Sequence, residues 1–136
     1  MFHINPKNYN IELTRGNSAE IDTTPFVQDT ETPLELGEND KVVFTVKGKY
    51  SDEICCQKVL TAADYDDEKK LVLRINPQDT VELKEGNLYV YDLMLVTENG
   101  SVYTYIGNYG DIVPSFVVLK AYGDINNMPK NDGDTL

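Results

Sequence analysis

Polar and hydrophobic residues alternate with a period of two through much of this chain. The clearest case is "KVVFTVKG" (41–48), where Val42, Phe44 and Val46 share one side and Val43, Thr45 and Lys47 the other. That period is a strand's, and the polar content of the second side makes it the wetter face. Seven other short segments are rich in β-branched and aromatic residues: "YNIELT" (9–14), "AEIDTT" (19–24), "EICCQKVL" (53–60), "KLVLRI" (70–75), "LYVYDLMLVT" (88–97), "SVYTYIG" (101–107) and "SFVVLKAY" (115–122). Turn residues separate them, so each reads as a strand. No stretch of helical length carries an apolar stripe; only "PQDTVELKEG" (77–86) suits a single helical turn, capped by Asp79 or Thr80. The pattern predicts an all-β domain over residues 1–122, with a polar tail over 123–136. The expected architecture is an immunoglobulin-like antiparallel β-sandwich of about seven or eight strands.

Three connections are specific enough to carry expectations. Asn99-Gly100 lies between two β-rich runs and predicts a type I′ hairpin, with both residues at positive φ. In "DTVELKEGNLYVY" (79–91) a turn enters a strand through Gly86, then Tyr89 and Tyr91 alternate. That order suits the corner of an immunoglobulin-like sandwich, where a tyrosine hydroxyl bonds back to upstream backbone, and Tyr89 is the candidate. The alternative is that both tyrosines are half-buried strand aromatics. The third, Arg15-Gly16-Asn17-Ser18, differs at one residue from an integrin-binding Arg-Gly-Asp. Integrin recognition requires an anionic oxygen on a divalent cation, and Asn17 offers a neutral amide, so this segment is read as a turn with Gly-Asn supplying positive φ.

Charge then removes several classes of partner. The 136 residues hold 12 Lys+Arg against 23 Asp+Glu, a net charge of -11. Such a surface repels phosphate backbones and anionic lipid, so neither nucleic acid nor membrane insertion is expected. No apolar run approaches the roughly 20 residues of a membrane span, and "MFHINPKNYN" lacks a basic segment followed by an apolar one, which points to a soluble product made in the cytoplasm. Cys55 and Cys56 are adjacent, a spacing that suits neither a disulfide framework nor a metal site, and they are read as reduced strand residues with one packed inward.

Several blocks together carry a family resemblance. The chain shows "YNIELTRGNSAEI", then "DKVVFTVKGK", then "INPQDTVELKEGNLYVYDLMLVTENGSVYTYIG". Over roughly residues 9–119 this order resembles the N-terminal domain of bacteriophage upper baseplate proteins and related prophage tail proteins of Gram-positive bacteria. The matching positions are Arg15, Gly16, Ser18, Asp40, Val42, Phe44, Val46, Lys47, Pro77, Asp79, Thr80, Tyr89, Tyr91 and Asp92. The resemblance implies an immunoglobulin-like sandwich serving as a virion structural protein in a tail, baseplate or fibre. It implies no catalytic activity, and partners that are other tail proteins or further copies of the chain. Larger family members continue into a connector and a receptor-binding region, whereas polar "GDINNMPKNDGDTL" follows the last strand here.

The one histidine, His3, is expected at a frayed terminus, which leaves a nucleophilic triad without a positioned base. The carboxylates of "DYDDEKK" (64–70) and "NDGDTL" (131–136) are oxygen ligands suited to calcium, but they are read as a solvated loop and tail, with no metal and no cofactor. No order in the sequence sets two carboxylates across a sugar as a glycosidase needs. A stand-alone sandwich that binds carbohydrate or a cell-surface ligand is the second reading, with Tyr103, Tyr105 and Tyr109 as its stacking platform if they are not core. The strand 115–122, after Pro114, is expected at a sheet edge open to a second chain.

Overall fold

Strand β4 (Lys41–Gly48) is paired on both sides in the larger of two sheets, and its inward Val42, Phe44 and Val46 are all fully buried. A computed structural model describes residues 2–4, 9–27, 30–84, 86–106 and 114–119. In chain order the remaining strands are β1 (Phe2–Ile4), β2 (Ile11–Thr14), β3 (Ala19–Asp22), β5 (Ile54–Leu60), β6 (Val72–Ile75), β7 (Tyr89–Val96), β8 (Val102–Ile106) and β9 (Ser115–Leu119). Among the described residues helical structure amounts to a 3-10 turn (Ala62–Asp64) and α1 (Pro77–Thr80), the latter inside the segment expected to form one turn.

The larger sheet runs β1-β2-β9-β7-β4-β5, and β8 also pairs with β7. Strand β7 divides one edge between two partners, Tyr89 and Val90 facing β9 while Leu93 to Val96 face β8. Strands β3 and β6 form the second sheet. The sandwich is all-β, as the alternation predicted.

Four expectations need correction. Strand β2 pairs parallel with β9, so the sandwich is not uniformly antiparallel. Strand β9 is not an edge: it is bonded to β2 on one side and to β7 on the other. His3 lies in β1, opposite Glu12, rather than in a frayed terminus. Tyr9 takes a φ of 60°, which a strand does not accommodate, so β2 starts at Ile11.

The core lies between the sheets. Phe44 meets Tyr91 and Phe116 at ring-centroid distances of 5.6 and 6.1 Å in tilted geometry. Ile21, Leu73 and Ile75 close it from the smaller sheet. Burying each such side chain contributes about 1.5–3 kcal/mol, which explains why the alternation was so readable: the inward positions pack into a single cluster.

Candidate functional site

The turn Arg15 to Ser18 is fixed from three directions. Asn17 N donates to Thr14 O (3.0 Å), closing a β-turn whose third residue, Gly16, has a φ of 80°. That conformation is the one a type II turn requires of its third residue. Arg15 N donates to Leu119 O (3.0 Å), which ties the turn to the end of β9. Gly16 N donates to Thr80 Oγ1 (2.8 Å) across 64 residues of sequence, and Thr80 is only 1% exposed. Thr80 is therefore a buried anchor rather than a cap. The capping role belongs to its neighbour: Asp79 Oδ2 accepts from Asn76 N (2.7 Å) and also meets Lys58 Nζ (2.8 Å).

Tyr89 is tied to upstream backbone. Its hydroxyl accepts from Lys84 N (3.0 Å), and the residue is 7% exposed, so it is a core aromatic with a backbone bond rather than a half-buried one. Tyr91 donates to Tyr9 O (2.5 Å), and burial, with a smaller contribution from Tyr9, holds its hydroxyl well above the usual tyrosine range. Asp40 accepts from Gly37 N (2.8 Å) through one oxygen and from Glu98 N (3.0 Å) through the other, pinning the β7–β8 hairpin to the entry of β4.

That hairpin differs from its expected form. Gly100 has a φ of 89°, but Asn99 is not among the residues at positive φ. Gly100 N donates to Thr97 O (2.9 Å) and Thr97 N to Ser101 O (2.9 Å). The connection is a four-residue turn, 97–100, whose last residue is the left-handed glycine, the three-residue hairpin loop with a bulge and not a type I′ turn. The Asn99 side chain drives the difference: its Oδ1 accepts from Thr97 Oγ1 (2.5 Å) and Ser101 N (3.1 Å), contacts that hold it over the turn.

The candidate ligand groups separate. Asp64 Oδ2 accepts from Thr61 N (2.8 Å), and Asp66 Oδ1 accepts from both Glu68 N and Lys70 N (2.9 Å each), so these two carboxylates close their own loop. Among the described residues no group of three or more His, Cys, Asp or Glu converges on a point. The segment 131–136 and Tyr109 lie outside the described residues. Tyr103 is exposed, while Tyr105 turns inward, packs on the core and donates to Thr23 O (2.8 Å), so the two do not form one platform. Cys55 is exposed and Cys56 half-buried against the core; burial first, and then the Asp79 carboxylate, push the Cys56 thiol up.

Two surface features were not legible in the sequence. A groove of about 530 Å³ is lined by Phe26, Pro33, Leu34 and Tyr65, with Lys70 and Glu68 at its margin. The second is on the outer face of the larger sheet. There Gln57 Nε2 donates to Thr45 Oγ1 (3.1 Å), and Asp92, opposite Thr45, has a buried Oδ1 with no hydrogen-bond partner among the described residues. Burial raises the Asp92 carboxyl above its ordinary value, with Lys47 opposing the shift. No helix of the described residues is long and apolar enough to cross a membrane. Comparison with protein-family models, with curated proteins and with solved structures finds no significant match.

Proposed function

We propose that this chain is a non-catalytic assembly module of a phage or prophage tail, acting in a baseplate or fibre through contacts with other tail proteins or further copies of itself. The bond from Gly16 N to Thr80 Oγ1 carries the reading. It joins two of the blocks on which the resemblance rests, the Arg15-Gly16-Asn17-Ser18 turn and the Pro77-x-Asp79-Thr80 element, which are distant in sequence and degenerate when taken singly. Asp40, Asp79, Tyr89 and Tyr91 likewise hold backbone in place. Residues of the resemblance are thus used to build a sandwich, the role a structural module requires, and none is left presenting a nucleophile beside a base.

Co-expression with the products of the neighbouring genes, followed by affinity capture and mass measurement, tests the proposal. A stable complex with a tail protein or with further copies of the chain is the expected result; turnover of a substrate, or a chain that stays monomeric and binds none of them, overturns it. The Phe26 groove supports a second reading as a carbohydrate- or surface-ligand-binding sandwich, because an exposed aromatic beside charged groups suits sugar stacking. Binding in a glycan array that Phe26→Ala abolishes would favour it.

A further inference from the structure

The Asn99-Gly100 turn holds a pair of groups whose chemistry its role in the hairpin does not use. The side-chain amide carbon of an asparagine is one bond short of a five-membered ring with the backbone nitrogen of the next residue. A side chain on that next residue obstructs the approach, and glycine has none. Asn99 is the one asparagine of the chain that glycine follows. Both residues are exposed, and a Cβ built on Gly100 meets nothing within 4 Å. Water and hydroxide therefore reach the reacting groups.

In the closed hairpin both groups are committed to other bonds. Gly100 N, the atom that would attack, donates to Thr97 O (2.9 Å). Asn99 Oδ1 accepts from Thr97 Oγ1 (2.5 Å) and from Ser101 N (3.1 Å), and Ser101 N also reaches Thr97 Oγ1 (3.2 Å). Closing the ring turns the peptide between Asn99 and Gly100 towards the side chain, which gives up the bond to Thr97 O. It also turns the side-chain carbonyl, which gives up the bonds on Oδ1. Thr97 supplies a partner to each side of the reaction, through its carbonyl to Gly100 and through its hydroxyl to Asn99.

We propose that Asn99 is a site of spontaneous covalent modification whose rate the hairpin controls through Thr97. When the turn opens locally, Gly100 N loses its proton to hydroxide and bonds to Asn99 Cγ. The Cγ–Nδ2 bond breaks, and the nitrogen leaves as ammonia with a proton taken from water, which regenerates the hydroxide and leaves a succinimide. Water then opens the ring on one of two sides. Cleavage at Cγ gives aspartate; cleavage at the main-chain carbonyl gives isoaspartate, in which the backbone runs through Cβ and Cγ. No oxidant, reductant or cofactor enters the balance. Either product adds a negative charge beside Glu98, whose N donates to Asp40 Oδ1 (3.0 Å). Isoaspartate also lengthens the turn by one backbone atom, which disturbs the closing bond from Thr97 N to Ser101 O (2.9 Å). This inference does not depend on the assembly reading.

The full chain is incubated at pH 8, folded in buffer or unfolded in urea, and sampled over time. Peptide mass mapping reads the amide-to-acid change at each asparagine, and enzymatic methylation of isoaspartate reads the branched product. In urea Asn99 is expected to convert before any other asparagine, and Gly100→Ala to slow it, a comparison that does not need the variant to fold. In buffer the conversion of Asn99 is expected to be about 10-fold slower or more, because only the opened turn reacts. Thr97→Val, which removes the hydroxyl and keeps the branched shape, is expected to raise the rate in buffer about 3-fold or more and to leave it unchanged in urea. Thr97→Ser keeps the hydroxyl and is expected to retain the slow rate. Should Thr97→Val not fold, Thr97→Ala takes its place with the same expectation. An Asn99 that stays intact in urea, another asparagine converting first, Gly100→Ala as fast as wild type, or equal rates in buffer and urea overturns the inference. So does a folded Thr97→Val or Thr97→Ala that converts no faster than wild type.

Discussion

Replacing Gly100 by valine isolates the cost of a backbone conformation. Gly100 has a φ of 89°, and a Cβ built on it meets nothing within 4 Å, so steric contact contributes nothing. What remains is the left-handed backbone, which costs an L-residue about 1–2 kcal/mol, with a β-branched side chain at the upper end. Gly100→Val is therefore expected to destabilise the domain by about 2 kcal/mol, Gly100→Ala by about 1, and Gly100→Asn by less than either. At this chain length about 1 kcal/mol moves the unfolding midpoint by roughly 4 °C, so thermal denaturation followed by circular dichroism resolves the series. Asn99→Gly supplies the discriminating control. In a type I′ turn both central residues need positive φ, and glycine there would be neutral or stabilising. In the observed turn glycine adds backbone freedom to the unfolded chain and removes the Asn99 contacts to Thr97 and Ser101, for a loss of about 1 kcal/mol. Equal midpoints for wild type and Gly100→Val, or a stabilised Asn99→Gly, would refute the turn described here.

The remaining predictions concern the anchors. Thr80→Val leaves Gly16 N without its acceptor in a buried setting and is expected to cost about 1–3 kcal/mol in urea unfolding. Tyr89→Phe keeps the ring and removes the acceptor for Lys84 N, for an expected loss of about 1 kcal/mol by the same measurement. Asp92 has a raised folded-state pKa, so its ionisation opposes folding above that value and the opposition vanishes once pH falls below the ordinary 3.8. Asp92→Asn is therefore expected to raise the midpoint at pH 7 and to leave it unchanged at low pH; a destabilised variant at pH 7 would contradict the account. Alkylation at pH 8 followed by peptide mass mapping is expected to modify exposed Cys55 before half-buried Cys56, whose thiol is harder to ionise.

The fold was legible wherever one face of a strand is buried, because a period of two then has a single register that hides its apolar side. Lys41–Gly48 shows this, with the whole strand located and its inward residues named. Boundaries failed where side chains replaced the ladder. The expected strand 19–24 stops at Asp22, where Asp22 Oδ1 accepts from Thr24 N and Thr24 Oγ1 locally, while Thr23 Oγ1 donates to Leu71 O and Thr24 Oγ1 accepts from Leu71 N across the sheet, side-chain bonds that propensity does not anticipate. The parallel pairing of β2 with β9 was equally hidden, since it joins segments about a hundred residues apart and no local pattern encodes which distant strand lies alongside.

Recognition chemistry was less legible than the fold for a related reason. Alternation states that Val43, Thr45 and Lys47 face away from Val42, Phe44 and Val46, and that is all one strand can state. Whether the outward row is a scattered set of valines or a continuous strip depends on the register of the neighbouring strands. Val43 lies beside Val59 on one side and Met94 on the other, and Val96 lies beside Val102. A slip of one residue in β5 or β7 would place polar and buried side chains in those rows instead. The same valines raise β-propensity, so a sequence reading credits them entirely to strand formation. Their exposure becomes informative only once the second sheet is seen to cover the opposite face, leaving Val59 and Val102 exposed among the described residues.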